Sequence, residues 1–207
     1  MRLQRLAYWV AGGAYVASRG LGSRRLLLAS KPLVVPLLID APLTSRPITH
    51  LGLAGGWIGD LLLMREGRLA AGATAFAVNQ AAYQWVLWRA GARVRPLPLV
   101  LHAVPFTAAA WWGRRHLGLV LLYGGMVTAT STLAADPVLR GRGVATGGHL
   151  FLLSDSLILA RTLLPSRDTV LARGLDVAVA ATYVVAQRLL VDGLRGGESG
   201  DLATLGP

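Results

Sequence analysis

The chain has 207 residues, 54% hydrophobic and only 15% charged, with a formal net charge of +11. A soluble domain carries about 25% charged residues, so the composition excludes an ordinary water-soluble globule and predicts a polytopic membrane protein. Cysteine is absent, which removes disulfides and thiolate metal sites from consideration.

A bilayer core of ~30 Å takes about 20 apolar helical residues to cross. Arg2 and Arg5 precede an apolar run ending near Ala17-Ser18. A signal peptide has this pattern, but more apolar segments follow, so a first transmembrane helix over 3–18 is the simpler reading. A second helix, over 25–40, contains Lys31, Pro32 and Pro36, and the two prolines predict a kink. A third, over 47–64, holds one ionised side chain, Asp60. The next three, over 69–88, 96–113 and 117–135, hold no Asp, Glu, Lys or Arg. A seventh spans 144–164, and Asp155 is the single charge between Gly143 and Ala160. An eighth spans 171–191, with Arg188 near its end. The expected fold is therefore all-α, a transmembrane helix bundle of about eight spans. Residues 1–193 form one helical domain, and 194–207 form a Gly-rich, disordered tail.

The 20 Arg and one Lys punctuate the apolar runs, as at Arg65/Arg68, Arg89/Arg93/Arg95, Arg114/Arg115 and Arg140/Arg142. Loop charges facing lipid headgroups have this distribution. No basic face is interleaved with aromatics in a water-soluble segment, so nucleic acid is not an expected partner. The expected location is the cell membrane, multi-pass. With eight spans the two sides carry ten Arg each, so charge does not set the orientation. Trp57, Trp85, Trp88, Trp111 and Trp112 read as interfacial belt residues. Gly52, Gly55, Gly56 and Gly59 read as a small-residue face for close helix packing. His102 and His149 have no second His or carboxylate at i+3 or i+4, and no metal site is expected.

The two lone aspartates are the functional signal. A carboxylate within the bilayer costs roughly 2.5 kcal/mol or more to insert, so it marks a functional site by default. Helices three and seven run in the same direction, which puts Asp60 and Asp155 at similar depth, toward the side opposite the N-terminus. Lys31 falls in the same half, and Tyr83, Tyr183 and Gln187 reach comparable depths, so these polar groups can converge on one cavity. The bland alternative is that Asp60 and Asp155 pair with Lys31 or an Arg and merely knit helices together.

Several motifs occur in a recognisable order. They are Ser30-Lys31-Pro32-Leu33 with Pro36-Leu37-Leu38, then Gly59-Asp60-Leu61-Leu62-Leu63, then Phe76 to Tyr83. Tyr123 and Met126 follow, then Leu150-Phe151-Leu152-Leu153-Ser154-Asp155-Ser156, then Tyr183-Val184-Val185-Ala186-Gln187. From about residue 30 to 193 this series resembles the lysoplasmalogenase-like (YhhN-like) membrane proteins. The resemblance implies an eight-helix membrane enzyme that hydrolyses the vinyl-ether bond of lysoplasmalogens to a fatty aldehyde and a glycerophospho-headgroup. It implies Asp60 and Asp155 as catalytic residues. Lys31, Gln80, Tyr83, Ser154, Tyr183 and Gln187 are the candidate substrate contacts, with Lys31 suited to a lipid phosphate. The expected partners are a lysophospholipid and the bilayer, and no cofactor is expected. Gln80 stands where the family has a histidine; a glutamine shuttles no protons, so an acid–base role does not carry over to it.

A vinyl ether is cleaved by protonating its β-carbon, after which water captures the oxocarbenium ion. Two carboxyls suit that sequence by analogy with glycosidases, one delivering the proton and the other ionised, stabilising the cation and activating water. Residue types alone leave open which is which. The rival reading is a small transporter using the aspartates as proton or cation sites, against which no internal repeat relates two halves. A third is a non-catalytic membrane protein.

Overall fold

The computed structural model describes residues 2–39, 47–112, 114, 117–164 and 169–201. Among them the regular structure is helical, with no strand. The helices are α1 (Arg2–Leu21), α2 (Arg24–Val34), α3 (Pro47–Leu63), α4 (Leu69–Arg89), α5 (Pro96–Trp112), α6 (Leu117–Ala134), α7 (Val144–Leu163) and α8 (Val170–Asp201). The eight expected segments are thus eight helices. Two of them, Leu117–Ala134 and Val170–Arg195, are long and apolar enough to cross a membrane by length and composition. The expected loop Gly113–His116 is described only at Arg114. The disordered tail expected over 194–207 is corrected in part: α8 runs on as helix to Asp201, and the residues from 202 onward lie outside the described residues.

α2 departs most from expectation. It stops at Val34 and gives way to a 3₁₀ turn at Pro36–Leu38. Pro36 has no N–H to donate to the carbonyl of Pro32, so the α-helical ladder cannot continue. The indole N–H of Trp57 donates to that carbonyl instead, at 2.9 Å. Trp57, expected in an interfacial belt, therefore also ties α3 to α2.

α3 packs on α4, α7 on α8, α1 on both α2 and α8, and α4 on α6. The α3–α4 contact is close because α3 presents glycine to it. A Cβ at Gly55 would lie 2.8 Å from the carbonyl oxygen of Ala75, and one at Gly59 would lie 2.5 Å from the ring of Phe76. The amide of Asn79 donates to Gly52 O at 2.9 Å across the same seam. The glycine face expected from sequence is this seam, and it delivers Asp60, the next residue after Gly59, to the interior. Tyr8, Leu53, Tyr83, Leu87, Phe151 and Leu190 fill the core, while Leu101, Leu122, Trp111 and Val170 point outward.

α6 is not uniform. Its α-helical start at Leu117–Leu119 passes through a π turn at Val120–Gly124 before Gly125–Ala134 resumes the α-helix. Such single-turn insertions change the facing of side chains and are frequent at functional sites.

Candidate active site

One cavity runs into the bundle and encloses about 1160 Å³ of empty space, its open mouth included. Its walls are mostly apolar, with Leu63, Phe76, Phe106, Val127 and Leu152 among them. Lys31, Asp60, Tyr123, Ser154, Asp155 and Tyr183 bring polar atoms to the same walls. Both aspartates thus open on one space, one from α3 and one from α7.

Asp60 is 2% exposed and fully engaged. Its Oδ1 lies 3.2 Å from Lys31 Nζ. Its Oδ2 accepts from the Tyr183 hydroxyl at 2.6 Å. The other side of that hydroxyl accepts from Gln187 Nε2 at 3.1 Å, and Gln187 Oε1 accepts from the Tyr83 hydroxyl at 2.7 Å. Tyr183 and Gln187 are four apart on α8 and share a face. A chain of hydrogen bonds therefore runs Tyr83–Gln187–Tyr183–Asp60 and ends on Lys31. The Tyr15 ring faces Lys31 Nζ at 5.4 Å from its centroid, in reach of a cation–π contact.

Asp155 is held differently. Its Oδ2 accepts from the Tyr123 hydroxyl at 2.7 Å, and among the described residues no cation lies within ion-pair distance. Tyr123 belongs to the π turn of α6. Phe76 of α4, Phe151 of α7 and Tyr183 of α8 pack edge to face, with centroids 5.9 to 6.3 Å apart, which orients the Tyr183 ring.

Of the residues expected at the site, Lys31, Asp60, Ser154, Asp155 and Tyr183 line the cavity. Ser154 also donates to Val179 O on α8 at 3.2 Å. Tyr83 and Gln187 stand behind Tyr183 as its support. Gln80 is wholly buried, does not line the cavity, and neither amide atom has a hydrogen-bond partner among the described residues. Reasoning from sequence left out Tyr15 and His102, which line the cavity, and gave Tyr123 no role at the site. Tyr123 had a signal, since it opens one of the ordered motifs. Tyr15 had none. His102 and His149, isolated in sequence, meet in space: their Nε2 and Nδ1 lie 3.3 Å apart, and Ser131 Oγ is 2.9 Å from each. Spacing along one helix could not reveal a pairing between α5 and α7.

The family model for the YhhN family matches residues 26–194. The chain belongs to the YhhN family. That is the family of lysoplasmalogenases, and it is associated with hydrolase activity and with membranes. No curated protein and no solved structure matches the chain. The stretch matched to the YhhN family takes in Lys31, Asp60, Tyr123, Asp155 and Tyr183, whereas Tyr15 precedes it.

Proposed function

We propose that this protein is a multi-pass enzyme of the cell membrane, its eight helices crossing the bilayer, and that it hydrolyses the vinyl-ether bond of lysoplasmalogens. The observation that carries the reading is the unequal treatment of two carboxyls on one apolar cavity. A bundle that needed only ion pairs for cohesion accounts for Asp60 with Lys31. It does not account for Asp155, whose partner is the neutral Tyr123 hydroxyl. An ionised carboxyl without a counter-ion on a mostly apolar wall is costly, so the half-buried Asp155 is the carboxyl suited to enter the reaction with its proton. Asp60, matched by Lys31, stays ionised.

The steps follow. Asp155 gives its proton to the β-carbon of the vinyl ether, and the π electrons form the new C–H bond. The α-carbon becomes an oxocarbenium ion, stabilised by the fixed negative charge of Asp60. Asp155, now a carboxylate, takes a proton from a water as its oxygen bonds to the α-carbon. The resulting hemiacetal collapses to a fatty aldehyde and the free glycerol hydroxyl. One water is consumed and Asp155 regains its proton. The apolar walls hold the chain of the lipid, and no cofactor is needed for these steps. The test is to incubate detergent-purified protein with a lysoplasmalogen and assay free aldehyde. Release that depends on active protein supports the reading, and its absence over many protein equivalents ends it.

A further inference from the structure

Lys31 is the chain's only lysine, and the structure commits it to Asp60 in the interior, 3.2 Å away and 8% exposed. A phosphate-bearing ligand then needs another cation, and one cluster offers it. Arg19 of α1 and Arg161 of α7 converge on a single carboxylate, Asp176 of α8. Arg19 Nη2 lies 3.0 Å and Arg161 Nε 3.4 Å from the same Oδ1. Guanidinium is always protonated in proteins, so two cations share this one carboxylate. All three side chains keep contact with solvent, at 32%, 17% and 22% exposure.

Their position is set by the helices that bear them. None of the three lines the cavity itself, but each lies close along its helix to a residue that does: Arg19 one turn beyond Tyr15, Arg161 next to Thr162, and Asp176 three residues before Val179. Asp155 precedes Arg161 by six residues, roughly 9 Å along an α-helix. In a glycerophospholipid five bonds separate the sn-1 ether oxygen from phosphorus, roughly 6 Å when extended. A lipid with its ether at Asp155 thus places its phosphate within reach of a long arginine side chain at the rim. The planar guanidinium fork matches phosphate oxygens better than an ammonium does.

We propose that Arg19 and Arg161, bridged by Asp176 at the rim of the cavity, bind the phosphate of the substrate's headgroup. The proposal rests on the hydrolase reading and adds a substrate requirement to it. The test compares a lysoplasmalogen with a 1-alkenylglycerol, which has the same vinyl ether and no phosphate. Wild type should favour the phosphate-bearing substrate in kcat/KM. Arg19→Gln and Arg161→Gln should each lower that preference at least tenfold, mainly through KM for the lysoplasmalogen. Asp176→Asn, which releases both guanidiniums, should keep or raise it. If Arg161→Gln does not fold, Arg161→Lys keeps the charge without the fork and should still lower the preference. Parallel loss on both substrates would overturn the proposal, because a purely structural bridge, or one holding a resident membrane phospholipid, predicts that result. Equal use of both substrates by wild type would overturn it while leaving the hydrolase intact. No aldehyde from either substrate would mean that the hydrolase reading itself has failed, and this one with it.

Discussion

Trp57 donates its indole N–H to the carbonyl of Pro32 at 2.9 Å, the carbonyl that Pro36 leaves without a helical donor. The bond joins two residues adjacent in fold to the central ion pair, since Pro32 follows Lys31 and Trp57 lies one turn before Asp60. Trp57→Phe keeps the ring and removes the donor. It should lower stability by about 1 kcal/mol, the net worth of one hydrogen bond, and reduce aldehyde release. Pro36→Ala supplies an N–H one turn after Pro32, so adding it to Trp57→Phe should recover much of both losses. Melting curves and turnover of the two single variants and the double variant test the coupling; additive losses would break it.

The glycine seam between α3 and α4 predicts a contrast. Ala at Gly55 would put a methyl 2.8 Å from the backbone oxygen of Ala75, which cannot swing away, and overpacking of this kind costs roughly 1–3 kcal/mol. Ala at Gly13 of α1 meets nothing within 4 Å and should be neutral or stabilise by up to about 1 kcal/mol through helix propensity. Thermal midpoints of the two variants in one detergent decide it. Because α3 carries Asp60, Gly55→Ala should also depress turnover per folded molecule.

Much of this was legible in the sequence, for physical reasons. Apolar length and loop Arg marked the eight helices, and the burial cost of a carboxylate singled out Asp60 and Asp155. The common direction of helices three and seven put both at one depth, as the cavity requires. What stayed hidden were relationships between helices with no fixed spacing: which of the two aspartates Lys31 pairs with, Tyr123 with Asp155, and His102 with His149. The short α2 was also hidden, because a proline can kink a helix or end it, and the choice depends on whether a tertiary partner such as Trp57 takes up the freed carbonyl. Lys31 read as a phosphate ligand because sequence gave its depth and left pairing with an aspartate as an alternative.

A pH effect is expected outside the bundle interior. Asp136 caps the 3₁₀ turn Pro137–Leu139. Its carboxylate accepts from Val138 N at 2.9 Å, Arg95 Nε at 2.9 Å and Arg93 N at 3.1 Å. These donors, Val138 N–H foremost, lower its pKa to about 2, below the ~3.9 of an unfolded aspartate. The folded state therefore favours the ionised form. The stabilisation is complete above about pH 4 and is lost as pH falls through about 2. Asp136→Asn should lower the thermal midpoint at pH 6, and the gap from wild type should close on acidification to pH 2. A gap of constant size would contradict the linkage.

Tyr123→Phe removes the one hydroxyl that holds Asp155 and leaves the ring in place. If Asp155 delivers the proton, its orientation matters, so turnover should fall about tenfold, short of the ~100-fold or more expected for loss of the acid itself in Asp155→Asn. The melting temperature should change little. Wild-type turnover in Tyr123→Phe would remove the tyrosine from the catalytic geometry.

The two aspartates should separate most clearly in stability. Asp155→Asn abolishes a proton donor but strands no counter-ion, so folded protein should be obtained with near-normal melting and at least ~100-fold lower turnover. Asp60→Asn should cost a similar factor in rate and, in addition, about 3–5 kcal/mol in stability, because it leaves the Lys31 ammonium buried without its partner. Lys31→Met strands Asp60 instead and should destabilise to a comparable degree. Combining Asp60→Asn with Lys31→Met removes both charges together. That double variant should regain most of the lost stability, since replacing a buried pair by neutral groups is often tolerated, yet it should stay as inactive as Asp60→Asn alone. The measurement is a double-mutant cycle read twice, once by melting and once by aldehyde release per folded molecule. Recovery of activity along with stability would show that the pair only holds α2 to α3, and the catalytic role of Asp60 would have to be given up.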